Sequence, residues 1–273
     1  MAESGQPFIL PKDIPIDRYP GPEVFLSEGK RLTEEGTKRG LHLRVMGPLA
    51  LHYYFPEQID LYAKLERLGQ RYFTDIDYAA YGKERKQIKD FMAEMGYECD
   101  RQTMMISGTT RHIYYGGNVP MIDVFYDKLS YCHDVSYEGR LDLDPTCVSL
   151  ADVLLQKLQI VEINDKDLKD IEYLFTCAEI GEDDDNKINA AYIAERFADD
   201  WGFWYTGTQL NLPKVKTHCD QVPALSPEQR ARIKAQTDKI IARLDAEPKT
   251  KKWEKRSKKG ANKIWYQEGF SDW

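Results

Sequence analysis

The sequence holds no run of eighteen apolar residues, so no segment is expected to span a membrane. Its opening stretch, MAESGQPFILPKDIPIDRYPGP, lacks a basic start followed by an apolar core, and no secretory signal is expected. Cysteine is scarce and odd in number: Cys99, Cys132, Cys147, Cys177 and Cys219, with no CxxC among them. That pattern argues against a disulfide framework or a zinc knuckle and fits a reducing cytoplasm. The five histidines form no HxH or HxxxH group, which leaves zinc without a ligand set. No GxSxG or Ser/His/Asp arrangement points to a hydrolase, and there are no internal repeats.

What is present is an ordinary soluble composition, 42% hydrophobic and 30% charged, long enough at 273 residues for one large domain or two modest ones. The net charge of -7 is unevenly spread. Residues 249–263 carry eight Lys or Arg and one Glu, a charge of +7, so the rest of the chain carries -14. A basic segment on an acidic body can meet a polyanion. Trp253 and Trp265 are interleaved with these bases, and an RNA could bind there through phosphate contacts and base stacking. A solvated tail or a surface for a protein partner is the alternative.

Five of the thirteen prolines fall in residues 7–22, which predicts an extended arm over residues 1–22. Periodicity then predicts a helix over 23–39 and a strand in LHLRVM. Two helices follow, then a strand in TDIDYAAY and a helix in KERKQIKDFMAEMGY. RQTMMISG, RHIYYGG and VPMIDVFYD read as further strands. The expected fold class is α/β (α+β), a mixed sheet with flanking helices over residues 23–130. An all-helical domain is expected over 131–248 and a basic, aromatic tail over 249–273. Ser149, Asn186 and Ser226 are expected to cap helices of the second domain. The aromatic stretch WGFWYTG reads as packing, with a stacking surface as the alternative. GEDDDNK reads as a solvated acidic loop.

The chemistry gathers on acids. Asp75 and Asp77 stand two apart in a strand, so both carboxylates project to one side. Like charges that close need a cation or a proton between them. A divalent ion is the usual answer where every donor is oxygen; an edge strand wetting its polar face is the alternative. In PMIDVFYD, Asp123 interrupts the apolar side of Met121 and Phe125, and a buried carboxylate needs a partner. If the two strands are neighbours, Asp123 can join Asp75 and Asp77. Lys157 falls inside the apolar arc of Leu150, Val153, Leu154 and Leu158. It must snorkel out to solvent, pair with an acid, for which Asp167 is placed, or reach a ligand anion.

In this order, VMGPLALHYYF, RYFTDIDY, PMIDVFYD, SLADVLLQKLQIV and KDLKDIEYLF resemble the AbiEii-type nucleotidyltransferases of the DNA polymerase β-like superfamily, over roughly residues 40–178. Toxin–antitoxin systems are the context the resemblance suggests. It implies a nucleotidyltransferase-like first domain and transfer of a nucleoside monophosphate from an NTP to an acceptor that is RNA, protein or a small molecule. Asp75, Asp77 and Asp123 would be the catalytic residues and the ligands of Mg2+, with Mn2+ as the substitute. Gly47, Arg71, Thr74, Lys157, Asp167 and Asp170 would serve nucleotide binding. The chain departs from the family's pattern at Pro48, which offers no N–H, at Met121 in place of a lysine, and at Lys166 in place of an arginine. These departures admit a non-catalytic relative that binds a nucleotide or a partner through a degenerate triphosphate site. A DxD glycosyltransferase using a nucleotide sugar and manganese is a third reading.

Overall fold

A computed structural model of the protein describes residues 9–268. The first eight residues of the expected arm and the last five of the expected tail lie outside the described residues. The chain runs through α1 (Pro22–Lys38), β1 (Arg44–Val45), α2 (Gly47–Tyr54), α3 (Ile59–Lys64), β2 (Ile76–Ala80), α4 (Arg85–Glu94), β3 (Tyr97–Cys99), α5 (Arg101–Ser107), β4 (Arg111–Gly116), β5 (Met121–Tyr126), β6 (Lys128–Ser130) and β7 (Asp134–Ser136). It continues through α6 (Leu150–Leu158), α7 (Asp165–Cys177), β8 (Glu179–Gly181), β9 (Lys187–Asn189), α8 (Ala190–Asp199), α9 (Trp201–Trp204), α10 (Leu212–His218), α11 (Pro227–Ala246) and α12 (Lys251–Ser257). Among the described residues, no helix is long and apolar enough to cross a membrane.

Two compact units are interleaved in sequence. The first takes residues up to Ala50, Leu68–Lys128 and Tyr137–Val148. The second takes Leu51–Arg67, Leu129–Ser136 and everything from Ser149. The expected boundary at residue 130 therefore gives way to a discontinuous division. Residues 51–67 group with the second unit, where Arg67 and Tyr62 bind a buried acid, Asp170.

The first unit is built on a five-stranded mixed sheet in the order β1-β2-β5-β4-β3. Strands β2 and β5 are parallel, and the other pairs are antiparallel. The sheet's alternation sorts its side chains cleanly. One face carries Ile76, Tyr78, Ile122, Val124, His112 and Tyr114, all buried. Helix α1 covers this face with Phe25 and Leu32, spaced two turns apart and fully buried. Each such side chain stabilises by about 1.5–3 kcal/mol when fully buried. The tyrosine hydroxyls are satisfied: Tyr78 donates to the Gly29 carbonyl at 2.9 Å, and Tyr97 donates to Glu28 at 2.7 Å. Glu28 is itself buried and is clamped by Arg31 at 2.7 and 2.8 Å.

RQTMMISG forms helix α5 rather than the expected strand. Asp100 caps it by accepting from the Thr103 amide at 2.7 Å, and Tyr97–Cys99 before it takes the place in the sheet. The expected arm does run without a long element, but it turns twice as short 3-10 helices, Pro11–Asp13 and Ile16–Arg18.

The second unit is mostly helical but not wholly so. Small two-stranded sheets, β6-β7 and β8-β9, interrupt the expected all-helical domain. All nine residues of α6 are buried, so α6 is its central helix. Ser149 caps α6, and Ser226 forms a reciprocal capping box with Gln229 at α11, both as expected. Asn186 is not the cap of α8. It has a left-handed backbone (φ 52°), while Asn189 accepts from the Tyr192 amide at 3.0 Å. Trp201 and Phe203 are buried, in line with the packing reading of WGFWYTG.

Candidate functional site

The two acid strands are neighbours, and their register pairs Asp77 directly with Asp123. In a parallel pair, residues in register project to the same side, so both carboxylates lie on the face opposite α1. Asp75 stands one residue before β2 begins. Asp123 is 2% exposed, whereas Asp75 and Asp77 are half-buried. Thr74 donates its hydroxyl to Asp75 Oδ1 at 2.9 Å.

Gly47 lies against this pair. The chain leaves β1 with the Met46 amide donating to the Asp77 carbonyl at 2.9 Å, then turns into α2 at Gly47 with φ +63°. An L-residue in that backbone conformation is strained, and a Cβ there would sit 3.4 Å from Asp77 Oδ2. The expected helix start beside the acids is therefore present. Pro48 follows it and brings no amide donor.

Asp123 has a partner that the pattern of acids did not reveal. Arg111 donates through Nε to both carboxylate oxygens, at 2.9 and 2.8 Å, and through Nη2 to Oδ2. Arg111 pairs in register with Phe125, which puts it on the Asp123 face, and its guanidinium lies 5.1 Å from the Phe125 ring centroid. Burial pushes the Asp123 pKa up to about 6, and the charge of Asp75 adds to this while Arg111 opposes it. The available signal was parity: in RHIYY, Arg111 alternates with Ile113 and Tyr115 on one side of a strand.

Among the described residues, no three His, Cys, Asp or Glu side chains converge closely enough to hold a metal ion. Asp77 and Asp123 share a face and a register, with Asp75 just ahead of the strand. Arg111 occupies both oxygens of Asp123. The donor set itself, all oxygen with no His or Cys, suits a hard ion such as Mg2+.

Arg71, expected at a nucleotide, holds the N-terminal arm. It donates from Nη2 to the carbonyls of Lys12 at 3.1 Å and Ile14 at 3.0 Å, and lies over the Tyr19 ring at 5.1 Å. Tyr19 in turn donates to the Thr74 carbonyl at 3.2 Å. Burial, then the charge of Asp75, push the Tyr19 pKa up to about 12. The arm is thus laid along the segment that leads into Asp75.

Lys157, Asp167 and Asp170 belong to the second unit. Lys157 Nζ lies 2.6 Å from Asp167 Oδ1 and 2.9 Å from Asp170 Oδ2, joining α6 to α7. Asp170 also sits 2.8 Å from Arg67 Nε and accepts from the Tyr62 hydroxyl at 3.1 Å. Burial alone would lower the Lys157 pKa, but the charges of Asp167 and Asp170 outweigh it and raise it. The ion-pair reading of Lys157 is the one this geometry displays. The network also includes Arg67, a residue that sequence reasoning missed because it lies ninety positions from its partner's lysine.

No protein-family model, no curated protein and no solved structure matches the chain.

Proposed function

We propose that the protein is a magnesium-dependent nucleotidyltransferase that moves a nucleoside monophosphate from an NTP to an acceptor. The observation that supports this most is the parallel register of Asp77 with Asp123, with Asp75 just ahead of the strand and a left-handed Gly47 against the Asp77 carboxylate. In this reading Asp75, Asp77 and Asp123 would hold the metal, whose chemistry when bound would be charge neutralisation at the triphosphate and activation of the attacking oxygen. The acceptor oxygen bonds to the α-phosphorus, pyrophosphate leaves, and the acceptor proton passes to a carboxylate, for which Asp123 is placed. Gly47 and Thr74 border the acids and serve the nucleotide. Asp123 would be a ligand of that metal only on giving up Arg111, which holds both of its oxygens. A cytoplasmic setting and an acceptor that is RNA, protein or a small molecule belong to the same proposal.

Two observations favour a second reading, a non-catalytic relative that binds a nucleotide or a protein partner. Arg111 already neutralises Asp123, and Pro48 removes a phosphate donor. Titration of each NTP with and without millimolar Mg2+, on wild type and on Asp75→Asn/Asp77→Asn, tests the first reading. Magnesium-dependent binding that the variant loses supports it, and no NTP binding by the wild type overturns it. Pyrophosphate release that vanishes in Asp75→Asn eliminates the second reading.

A further inference from the structure

The basic C-terminal segment is folded and held in place. Thr250 caps α12 by accepting from the Trp253 amide at 3.2 Å, and its own amide donates to the Ala198 carbonyl at 3.0 Å. Trp253 packs edge-on against Trp204, with ring centroids 5.1 Å apart. Arg256 lies 4.5 Å over the Trp201 ring and donates to the carbonyls of Gly260, Lys263 and Ile264, which folds the chain beyond α12 back onto the helix. Trp265 donates from Nε1 to Thr206 Oγ1 at 3.0 Å. Both tryptophans interleaved with the bases are thus packed on one side against the unit and remain partly exposed.

What remains outside is charge. Lys251, Lys255, Lys258, Lys259 and Lys263 are all exposed, and none of them forms an ion pair among the described residues. At 100° per residue, Lys251, Lys255 and Lys258 fall within an arc of about 60° on α12. Lys252, by contrast, is paired with Asp199 at 2.8 Å. Five fixed lysines on a body that is otherwise acidic form an array rather than a solvated face, because Arg256 pins their backbone.

We infer that this array docks the phosphate backbone of a nucleic acid without selecting among bases. Protein interfaces are depleted of lysine and centre on aromatic or apolar anchors. Here Trp253 and Trp265 are partly covered by their packing against Trp204 and Thr206, and among the described residues Ile264 is the exposed large apolar residue of the segment. Insertion into a lipid surface needs an apolar face that α12 does not offer. A repeating phosphate needs only spaced cations, which are what is exposed. The inference does not rest on nucleotidyl transfer and is tested without NTP or Mg2+.

The test is fluorescence anisotropy with labelled oligouridine and oligoadenosine of roughly twenty nucleotides, longer than a single-strand site. The proteins compared are wild type and Lys251→Ala/Lys255→Ala/Lys258→Ala/Lys259→Ala/Lys263→Ala. The wild type should bind both oligomers alike, with log affinity falling against log salt by about 0.7 per phosphate neutralised, or about 3.5 for five lysines. The variant should unfold at the wild-type midpoint, since its lost side chains have no partner, and should lose most of that slope. Overturning results are no binding by the wild type at about 50 mM salt, an unchanged slope in the variant, strong preference for one base, or equal binding to polyglutamate or to phosphatidylserine vesicles.

Discussion

Asp123 shows how much a single residue can rest on its neighbour. Its carboxylate is buried, and Arg111 supplies three donor contacts. Arg111→Met leaves that carboxylate to be desolvated alone, which costs about 2–3 kcal/mol, at the low end for a buried pair because Arg111 reaches solvent. The loss is pH-dependent. Without Arg111, the folded-state pKa of Asp123 rises further above its unfolded value, so stability falls as pH rises through that window. Urea unfolding should therefore find Arg111→Met most destabilised near pH 8 and partly recovered near pH 5. A loss independent of pH would contradict this account. Gly47→Ala makes a second residue-scale prediction. The left-handed backbone at φ +63° costs an L-residue about 1–2 kcal/mol, read as a lower unfolding midpoint. A midpoint equal to wild type would show that the turn is not held as described.

At the scale of elements, the pairing of β2 with β5 was legible in part. Asp75, Asp77 and Asp123 each announced a polar position on a strand, but register is set by the alignment of whole strands, which spacing within one strand does not carry. Arg111 was hidden for the same reason: only the antiparallel pairing of β4 with β5 brings it to Asp123. Helix α5 was misread because Thr103 and Ile106 favour strands locally, whereas the Asp100 cap and the brevity of β3 decide the matter. Asp100→Ala should cost about 1 kcal/mol and lower α5 protection in amide exchange, with β4 unaffected. The α6–α7 pair was more legible, since a lysine in an apolar arc demands an acid. Its second acid and its link to Arg67 came from packing. Asp170→Asn strips charge from between Lys157 and Arg67 and should cost about 3 kcal/mol by urea unfolding. A change below about 0.5 kcal/mol would mean that the network is a surface-like pair.

Across the whole molecule, each unit holds a buried imidazole and a buried carboxyl with opposing effects. Burial depresses His112 in the first unit and His133 in the second to about 4. A folded pKa below the unfolded value means stability is full above about pH 6.5 and is lost as pH falls toward 4. Burial raises Glu172 to about 7, opposed by His218, so its contribution runs the other way: stability falls as pH rises from about 4.5 to 7. Asp123 does the same for the first unit over a window ending near 6. These four groups largely offset one another between about pH 4.5 and 6. Glu172→Gln keeps a hydrogen-bond partner for His218 and removes one arm of the balance. Stability of that variant should gain a rise of about 1.4 kcal/mol per pH unit over this window relative to wild type. An unchanged pH slope would contradict the assignment. The discontinuous division of the chain was not legible, because residues 51–67 carry ordinary helical periodicity, and packing is what joins them to the second unit, through Tyr62 and Arg67 on Asp170 and through His52, Phe55 and Tyr62 against the Tyr173 ring.

The central claim is that the acids of β2 and β5 form one metal–nucleotide site. The most direct measurement is an electron paramagnetic resonance titration of Mn2+, with and without NTP, on wild type and on Asp75→Asn/Asp77→Asn. The account predicts Mn2+ binding that NTP strengthens in the wild type and that the variant loses while keeping its unfolding midpoint. Mn2+ binding equal in the two proteins, or none by the wild type with NTP in excess, would contradict it.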